Sequence, residues 1–279
     1  MEHISEAMKK ISLFLLATVA LCACNDISYD ERLVEEQNTN PDTLIVDALR
    51  HTLIEDFTGQ NCPNCPTATA FIESLEEIYG DQLVCVGIHS GMLGMGTPLF
   101  TQEGQHFFSL LGNASLPQPA VRVNRQGSPL SGAPEVTNKL PGIVQELNHK
   151  VSSVVINNYE AQPSAADSTA YDIKFKLGTM YEVEGAVQVW VTQDSISSWQ
   201  KMPDGSRNRA YNHMSVFRKS LSALDGDTIA VALTAPVEKS YKLTLASDWV
   251  PQNINIVVIV TSKSGEFLQV RKFPLLKKK

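Results

Sequence analysis

Apolar positions along this chain change their spacing several times, and each change predicts a different element. Residues 11–21 are an unbroken apolar run preceded by Lys9 and Lys10. A bilayer span takes about 20 apolar residues, so this run has the length of a signal-peptide core. Residues 25–43 are polar, with Asp26, Asp30, Glu31, Glu35, Glu36 and Asp42 set against Arg32. Such a segment buries too little apolar surface to order itself and reads as a tether that reaches ~60 Å when extended. His51 to Phe57 is strand-like, and Pro63 to Tyr79 is helix-like, with Phe71, Leu75, Ile78 and Tyr79 on one face and Gly80 as its stop. Leu83 to Ile88 has the short apolar run of a buried parallel strand. Strand, helix and strand imply a right-handed crossover, which brings His89 to the same sheet edge as residue 62. Gly91–Thr101 reads as a flexible loop, Gln102–Leu111 as a helix ended by Gly112, and Ala120–Val123 as a strand. Val136, Leu140, Ile143, Val144 and Leu147 form a last helical face, which Pro141-Gly142 either kinks or begins.

Beyond residue 150 the period falls to two. Tyr171, Ile173, Phe175 and Leu177 alternate with Asp172, Lys174 and Lys176, and Val187, Val189 and Val191 repeat the pattern. Further strands are predicted at 213–221, 227–235, 240–247, 253–262 and 265–273. Short strands with polar turns predict an all-β antiparallel sandwich, immunoglobulin-like in outline. Trp190 reads as core, whereas Trp199 and Trp249 fall near turns. Residues 200–213, with Arg207, Arg209 and Asn212, read as a polar stretch that is either a contact loop or a solvated connector. The expected organisation is a leader over 1–24, an acidic tether over 25–43, an α/β domain over 44–150 and a β-sandwich over 151–276.

The length of 279 residues accommodates two modest cores, and the net charge of −7 argues against a nucleic-acid partner. Five cysteines are too few for a disulfide scaffold, and two of them close the leader. Leu21-Cys22-Ala23-Cys24 has the form of a lipobox, with small Ala23 before the cut and Cys24 as the lipidated residue. Cys22 fits less well, because bulky Leu21 would sit beside the cut. An ordinary secretory signal cut near Ala23 is the alternative. Met8 reads as the start, since the residues before it place Glu2 and Glu6 ahead of the basic pair. Acyl chains at Cys24 would hold the protein to a membrane without a spanning helix.

Candidate chemistry centres on Cys62-Pro63-Asn64-Cys65-Pro66, at the predicted strand-to-helix turn. A thiol at a helix N-terminus is favoured as thiolate by unpaired N–H groups and the helix dipole, and a second thiol one turn on can close a disulfide with it. Pro63 suits the first helical position, and Pro66 is tolerated only within the first turn. Cys85, between Val84 and Val86, reads as a small core residue. His89 is either a proton donor or acceptor beside the thiols or a loop histidine with a backbone partner. Zinc would need two more ligands, and His51, His89 and His106 are not at ligand spacing. No metal or cofactor is expected.

Strand, acid, Cys-x-x-Cys and helix together resemble the thioredoxin-like fold, in which a buried acid lies six positions before the first cysteine, as Asp56 does before Cys62. The wording Glu55-Asp56-Phe57-Thr58-Gly59-Gln60, followed by Cys62 to Pro66, resembles the twenty-eight-kilodalton outer-membrane lipoprotein family of Bacteroidetes. That resemblance implies a thioredoxin-like domain joined to a C-terminal β-sandwich, lipid-anchored at the outer membrane on its periplasmic face or the cell surface. It implies a cis-proline facing the cysteine pair, at Pro119 or alternatively Pro117, that turns the Gln118 backbone toward a partner chain. It further implies roles: an exposed Cys62 that exchanges with partners, Cys65 that resolves, and Asp56 that takes and returns the Cys65 proton. Asn61 departs from the tryptophan usual in both families. Two functions fit. One is a thiol–disulfide oxidoreductase acting on exported proteins. The other is a non-catalytic receptor or adhesin-like lipoprotein whose cysteine pair is a structural disulfide.

Overall fold

All seven residues of strand β1 (Thr52–Thr58) are buried, so this strand is covered on both faces. The computed structural model describes residues 49–277 apart from Asn113, His149 and Ala166; the leader, Cys24, the 25–43 tether, Lys278 and Lys279 lie outside the described residues. Parallel to β1 runs β2 (Leu83–His89), in register from Thr52 opposite Leu83 to Thr58 opposite His89. Helix α1 (Cys65–Tyr79) makes the crossover. On the other side of β1 lies antiparallel β3 (Ala120–Val123), which turns through Asn124 and Arg125 into β4 (Gln126–Ser131). Helix α2 (Gln102–Phe107) and a wider turn over Phe108–Gly112 precede β3, and helix α3 (Ala133–Leu147) follows β4. One sheet face carries α1 and α3, where Ala68, Ile72 and Leu75 meet Val136, Leu140 and Val144 over Ile54, Cys85 and Val121. The opposite face carries α2, with Phe107 and Phe108 over Leu53, Phe57, Val86 and Ile88.

The chain continues as β5 (Val154–Ser164), β6 (Asp167–Thr179) and β7 (Val183–Gln193). Next come β8 (Ile196–Lys201), β9 (Arg207–His213), β10 (Val216–Ser220), β11 (Asp227–Val231), β12 (Val237–Thr244), β13 (Ile254–Ser262) and β14 (Phe267–Pro274). The large sheet has the order β14-β13-β7-β10-β2-β1-β3-β4, with β11 also pairing with β7; β12-β6-β5 form a second sheet and β8-β9 a third. Alternation explains the layering. Val187, Val189 and Val191 of β7 face Ile173, Phe175 and Leu177 of β6 in a core between the two larger sheets. Trp190, pointing the other way, packs with Phe107 and Phe217. Beyond residue 150 the body is therefore sandwich-like, and its large sheet runs unbroken into β2 and β1. The seam is β10 beside β2, where Val216 pairs with Gly87 and the Gly87 N–H donates to the Ser215 carbonyl at 2.9 Å. Just ahead of β1, Gln269 of β14 clamps the chain. Its Nε2 donates to the Leu49 carbonyl at 3.0 Å, and its Oε1 accepts from the His51 N–H at 2.9 Å.

Several local expectations shift. The helix after the cysteines begins at Cys65, not at Pro63, because Cys62 N–H closes a turn on the Gly59 carbonyl at 3.0 Å and the chain becomes helical only past Asn64. Pro66 thus lies at the second helical position, where no intrahelical donor is required. Helix α3 does not begin at Pro141 but continues through it. An interior proline costs about 3 kcal/mol, whereas Val136, Leu140, Val144 and Leu147 are all buried on one face and each contributes about 1.5–3 kcal/mol. The Gly91–Thr101 stretch contains a helical turn over Gly91–Gly94. Residues 200–213 are neither loop nor connector: they supply most of the β8–β9 hairpin. Trp190 and Cys85 are core residues.

Candidate functional site beneath the Cys62–Cys65 disulfide

The turn after β1 is fixed by close backbone approach. A Cβ on Gly59 would lie 2.4 Å from the Leu93 carbonyl carbon, so only glycine lets the Gly91–Gly94 turn pack against it. Asn61 N–H donates to the Leu93 carbonyl at 2.9 Å. Gln60 is fully buried, and its amide joins three segments. It accepts from Leu99 N–H at 3.1 Å and donates to Ser198 Oγ at 3.0 Å and to the Trp199 carbonyl at 2.6 Å. From the hairpin, Gln200 Nε2 donates to the carbonyls of Cys62 (2.9 Å) and Gly59 (3.2 Å), and Lys201 N–H donates to the Gln60 carbonyl (2.9 Å). Cys62 and Cys65 form a disulfide with a Cα–Cα distance of 5.4 Å. The expected exposure of Cys62 is corrected. It is 1% exposed, because the β8–β9 hairpin lies across the turn that carries it.

Beneath the disulfide is a cavity of about 20 Å³ bordered by Asp56, Cys65, His89, Gln200, Tyr211 and His213, enough for about one water molecule. Asp56 Oδ2 accepts from Thr69 Oγ1 at 3.0 Å, while Oδ1 has no protein partner. Burial pushes the Asp56 carboxyl up to about 7; the Thr69 bond opposes this and nearby Glu73 adds to it. His89 is pushed down to about 3, by burial first and by His213 second. His213 is pushed down to about 4 by burial, partly offset by the Trp199 and Ser198 carbonyls. The two imidazoles meet edge-to-face with centroids 5.2 Å apart. His89 Nδ1 and His213 Nε2, like Asp56 Oδ1, are buried without a protein partner.

The structure thus brings Cys65, Asp56 and His89 to one cavity, with Cys62 joined through the disulfide. Pro119 does not border that cavity. It precedes β3, its peptide bond to Gln118 is cis, and its carbonyl accepts from Gly132 N–H at 2.8 Å. The Gln118 side chain turns inward, donating to the Thr58 and Ser90 carbonyls at 2.8 and 2.9 Å. Pro117 uses its carbonyl to accept from Ser131 Oγ at 3.0 Å. The residues that sequence reading missed are Gln60, Gln200, Tyr211 and His213. Three of them arrive from more than a hundred positions away, and no local spacing announces them. Among the described residues no group of three or more His, Cys, Asp or Glu side chains is arranged to hold a metal ion.

Fold and site define a class: a β-rich protein in which a buried Cys-x-x-Cys disulfide, a buried acid and two neutral histidines are closed in by a hairpin. The family described as outer membrane protein Omp28 matches residues 113–279. The chain belongs to that family, and its place is the outer membrane. No curated protein sequence matches it. Among solved structures it is similar to HBP35 of Porphyromonas gingivalis, with 15% identity and a TM-score of 0.63 over 82% of this chain and 76% of the other. A protein from Agrobacterium tumefaciens matches with 15% identity and a TM-score of 0.51 over 82% of this chain and 96% of the other. These likenesses concern the fold. Among the described residues no helix is long and apolar enough to cross a membrane.

Proposed function

We propose that this protein is a lipid-anchored thiol–disulfide oxidoreductase of the outer membrane, with a thioredoxin-like region over residues 44–150 and an immunoglobulin-like sandwich over 151–276. Its anchor is Cys24, and its partners are exported proteins carrying thiols or disulfides. The observation that carries this reading is Asp56 at the cavity under Cys65, with a carboxyl that changes charge near neutral pH. A structural disulfide has no use for such a group, which is costly to bury.

The chemistry balances as follows. A partner thiolate attacks Cys62 Sγ, the Cys62–Cys65 bond breaks, and Cys65 leaves as a thiolate that takes the proton of Asp56. A second partner thiolate then attacks the mixed disulfide and releases Cys62. The partner is oxidised to its disulfide and the pair is reduced, with Asp56 left as carboxylate to be reprotonated from solvent. In the opposite direction Asp56 accepts the Cys65 proton.

One observation favours the second reading, a non-catalytic surface lipoprotein: Cys62 is almost wholly covered. Thiol trapping of the pair through glutathione buffers, with Cys85→Ala to remove the third thiol, separates the two. The proposal expects a potential between roughly −120 and −270 mV, and a pair still oxidised below roughly −300 mV overturns it.

A further inference from the structure

We propose that His213 is a positioning residue for the cysteine pair: carried on β9, it sets how readily Asp56 holds the proton destined for Cys65. The inference rests on the redox reading above and assigns the sandwich half of the chain a part in it. Its ground is geometric. Three buried polar atoms without protein partners, Asp56 Oδ1, His89 Nδ1 and His213 Nε2, belong to side chains that border one cavity with Cys65. Isolated polar atoms in a protein interior are costly, and three on side chains that border a space the size of a water molecule give that space hydrogen-bonding walls.

His213 closes that chamber from the hairpin side, and Tyr211 packs edge-on against its ring with centroids 4.8 Å apart. The groups facing Asp56 are Cys65, Thr69 and Glu73 from α1, His89 and Cys85 from β2, and Tyr211 and His213 from β9. Of these, His213 and Tyr211 come from the hairpin. A neutral imidazole there offers the carboxyl a polar neighbour without adding charge. As the disulfide breaks, the electron pair stays on Cys65 sulfur and the Asp56 proton moves to it, leaving a carboxylate that a water in the cavity, donating one hydrogen to the His213 Nε2 lone pair and the other to Asp56, solvates.

The test follows the Asp56 carboxyl by carbon NMR through a pH titration of the oxidised mature chain, beside the pH profile of disulfide reduction by dithiothreitol. In the native protein the Asp56 midpoint is expected near 7, and the reduction rate, divided by the fraction of dithiothreitol present as thiolate, is expected to fall with that same midpoint. His213→Phe, which fills the space with an apolar ring, moves both midpoints up by roughly one unit. His213→Gln restores a polar neighbour and brings them back. His213→Ala, which admits solvent, moves them down and serves if the Phe variant does not fold. A purely structural histidine would lower melting temperature in all three variants and leave the midpoints in place, and that result overturns the proposal. The two readings fail separately. An Asp56 midpoint that ignores His213, with a reducible pair, sinks the role of His213 alone. A pair that no glutathione buffer reduces sinks the redox reading and the proton delivery built on it.

Discussion

Ionising Asp56 inside the protein strips a carboxylate of water, and the single Thr69 hydroxyl that reaches it does not replace what is lost. Its folded pKa, about 7, stands above the ordinary value of 3.8. The folded state therefore binds this proton more tightly than the unfolded chain. The stability linked to it is complete below about pH 4 and is lost as pH rises through about 7. Asp56→Asn should remove that loss, giving at pH 8 a gain of up to about 4 kcal/mol in urea unfolding. His89 and His213 carry the opposite sign. Their folded pKa values lie below the ordinary 6.5, so their contribution is present above that pH and fades as pH falls toward about 3 for His89 and about 4 for His213. In the Asp56→Asn protein, acidification below about pH 6.5 should destabilise without compensation. A second residue-scale pair is Glu55 and Arg125, both almost fully buried. Arg125 Nε donates to Glu55 Oε1 at 3.0 Å, and the guanidinium lies 5.2 Å from the Trp190 ring. Arg125→Met strands the carboxylate and should cost about 3–5 kcal/mol, most of which Glu55→Gln recovers in the double variant. An additive double-variant cycle would refute that coupling.

At the scale of elements, the β8–β9 hairpin is a small sheet of its own, resting on the cysteine turn through the amides of Gln60 and Gln200. It leaves the large sheet through Ser195 (φ 57°) and returns through Ser215 (φ 50°), both in a conformation unusual for serine. Asp194 braces the return by accepting from Ser215 N–H at 2.9 Å. Gln200→Ala deletes the bonds to the Cys62 and Gly59 carbonyls. It should lower stability by about 1–3 kcal/mol and hasten reduction of the disulfide by dithiothreitol several-fold. An unchanged rate would show that the hairpin does not limit access to Cys62. This element was the least legible in the sequence. Strands β1, β2 and β3 could be read because short apolar runs bounded by turn residues have few other solutions. The hairpin lacks such a run, since Arg207, Asn208, Arg209 and Ala210 are all exposed and its attachment is made by buried amides. For the same reason the sequence supplied Cys62, Cys65 and Asp56 but not His213: the first three lie in one continuous strand-turn-helix stretch, and the last is brought to them by tertiary pairing.

For the whole molecule, the large sheet crosses the boundary at residue 150 that periodicity suggests, and the family match crosses it too, beginning at residue 113. The cysteine turn lies ahead of that matched region. Trp190 of β7 packs on Phe107 of α2, so the two halves share side chains as well as a sheet. A fragment ending at residue 150 would expose the β2 edge and lose the Trp190 contact; it should aggregate rather than fold. The whole chain should melt in one calorimetric transition. Trp190→Ala, at a cost of about 3–5 kcal/mol, should lower that transition without splitting it. Two resolved transitions would contradict the shared core.

The clamp that Gln269 places on Leu49 and His51 has a mechanical side. A pull applied to the chain at Leu49 passes straight into β1, which lies between β2 and β3 well inside the large sheet. Drawn along its own axis, β1 must slide past both neighbours at once. Rows of hydrogen bonds are then loaded together instead of being unzipped one by one. Gln269 hands part of the same load to β14 at the far edge of the sheet. A load entering at Leu49 would therefore be met in shear by two strand pairings at once.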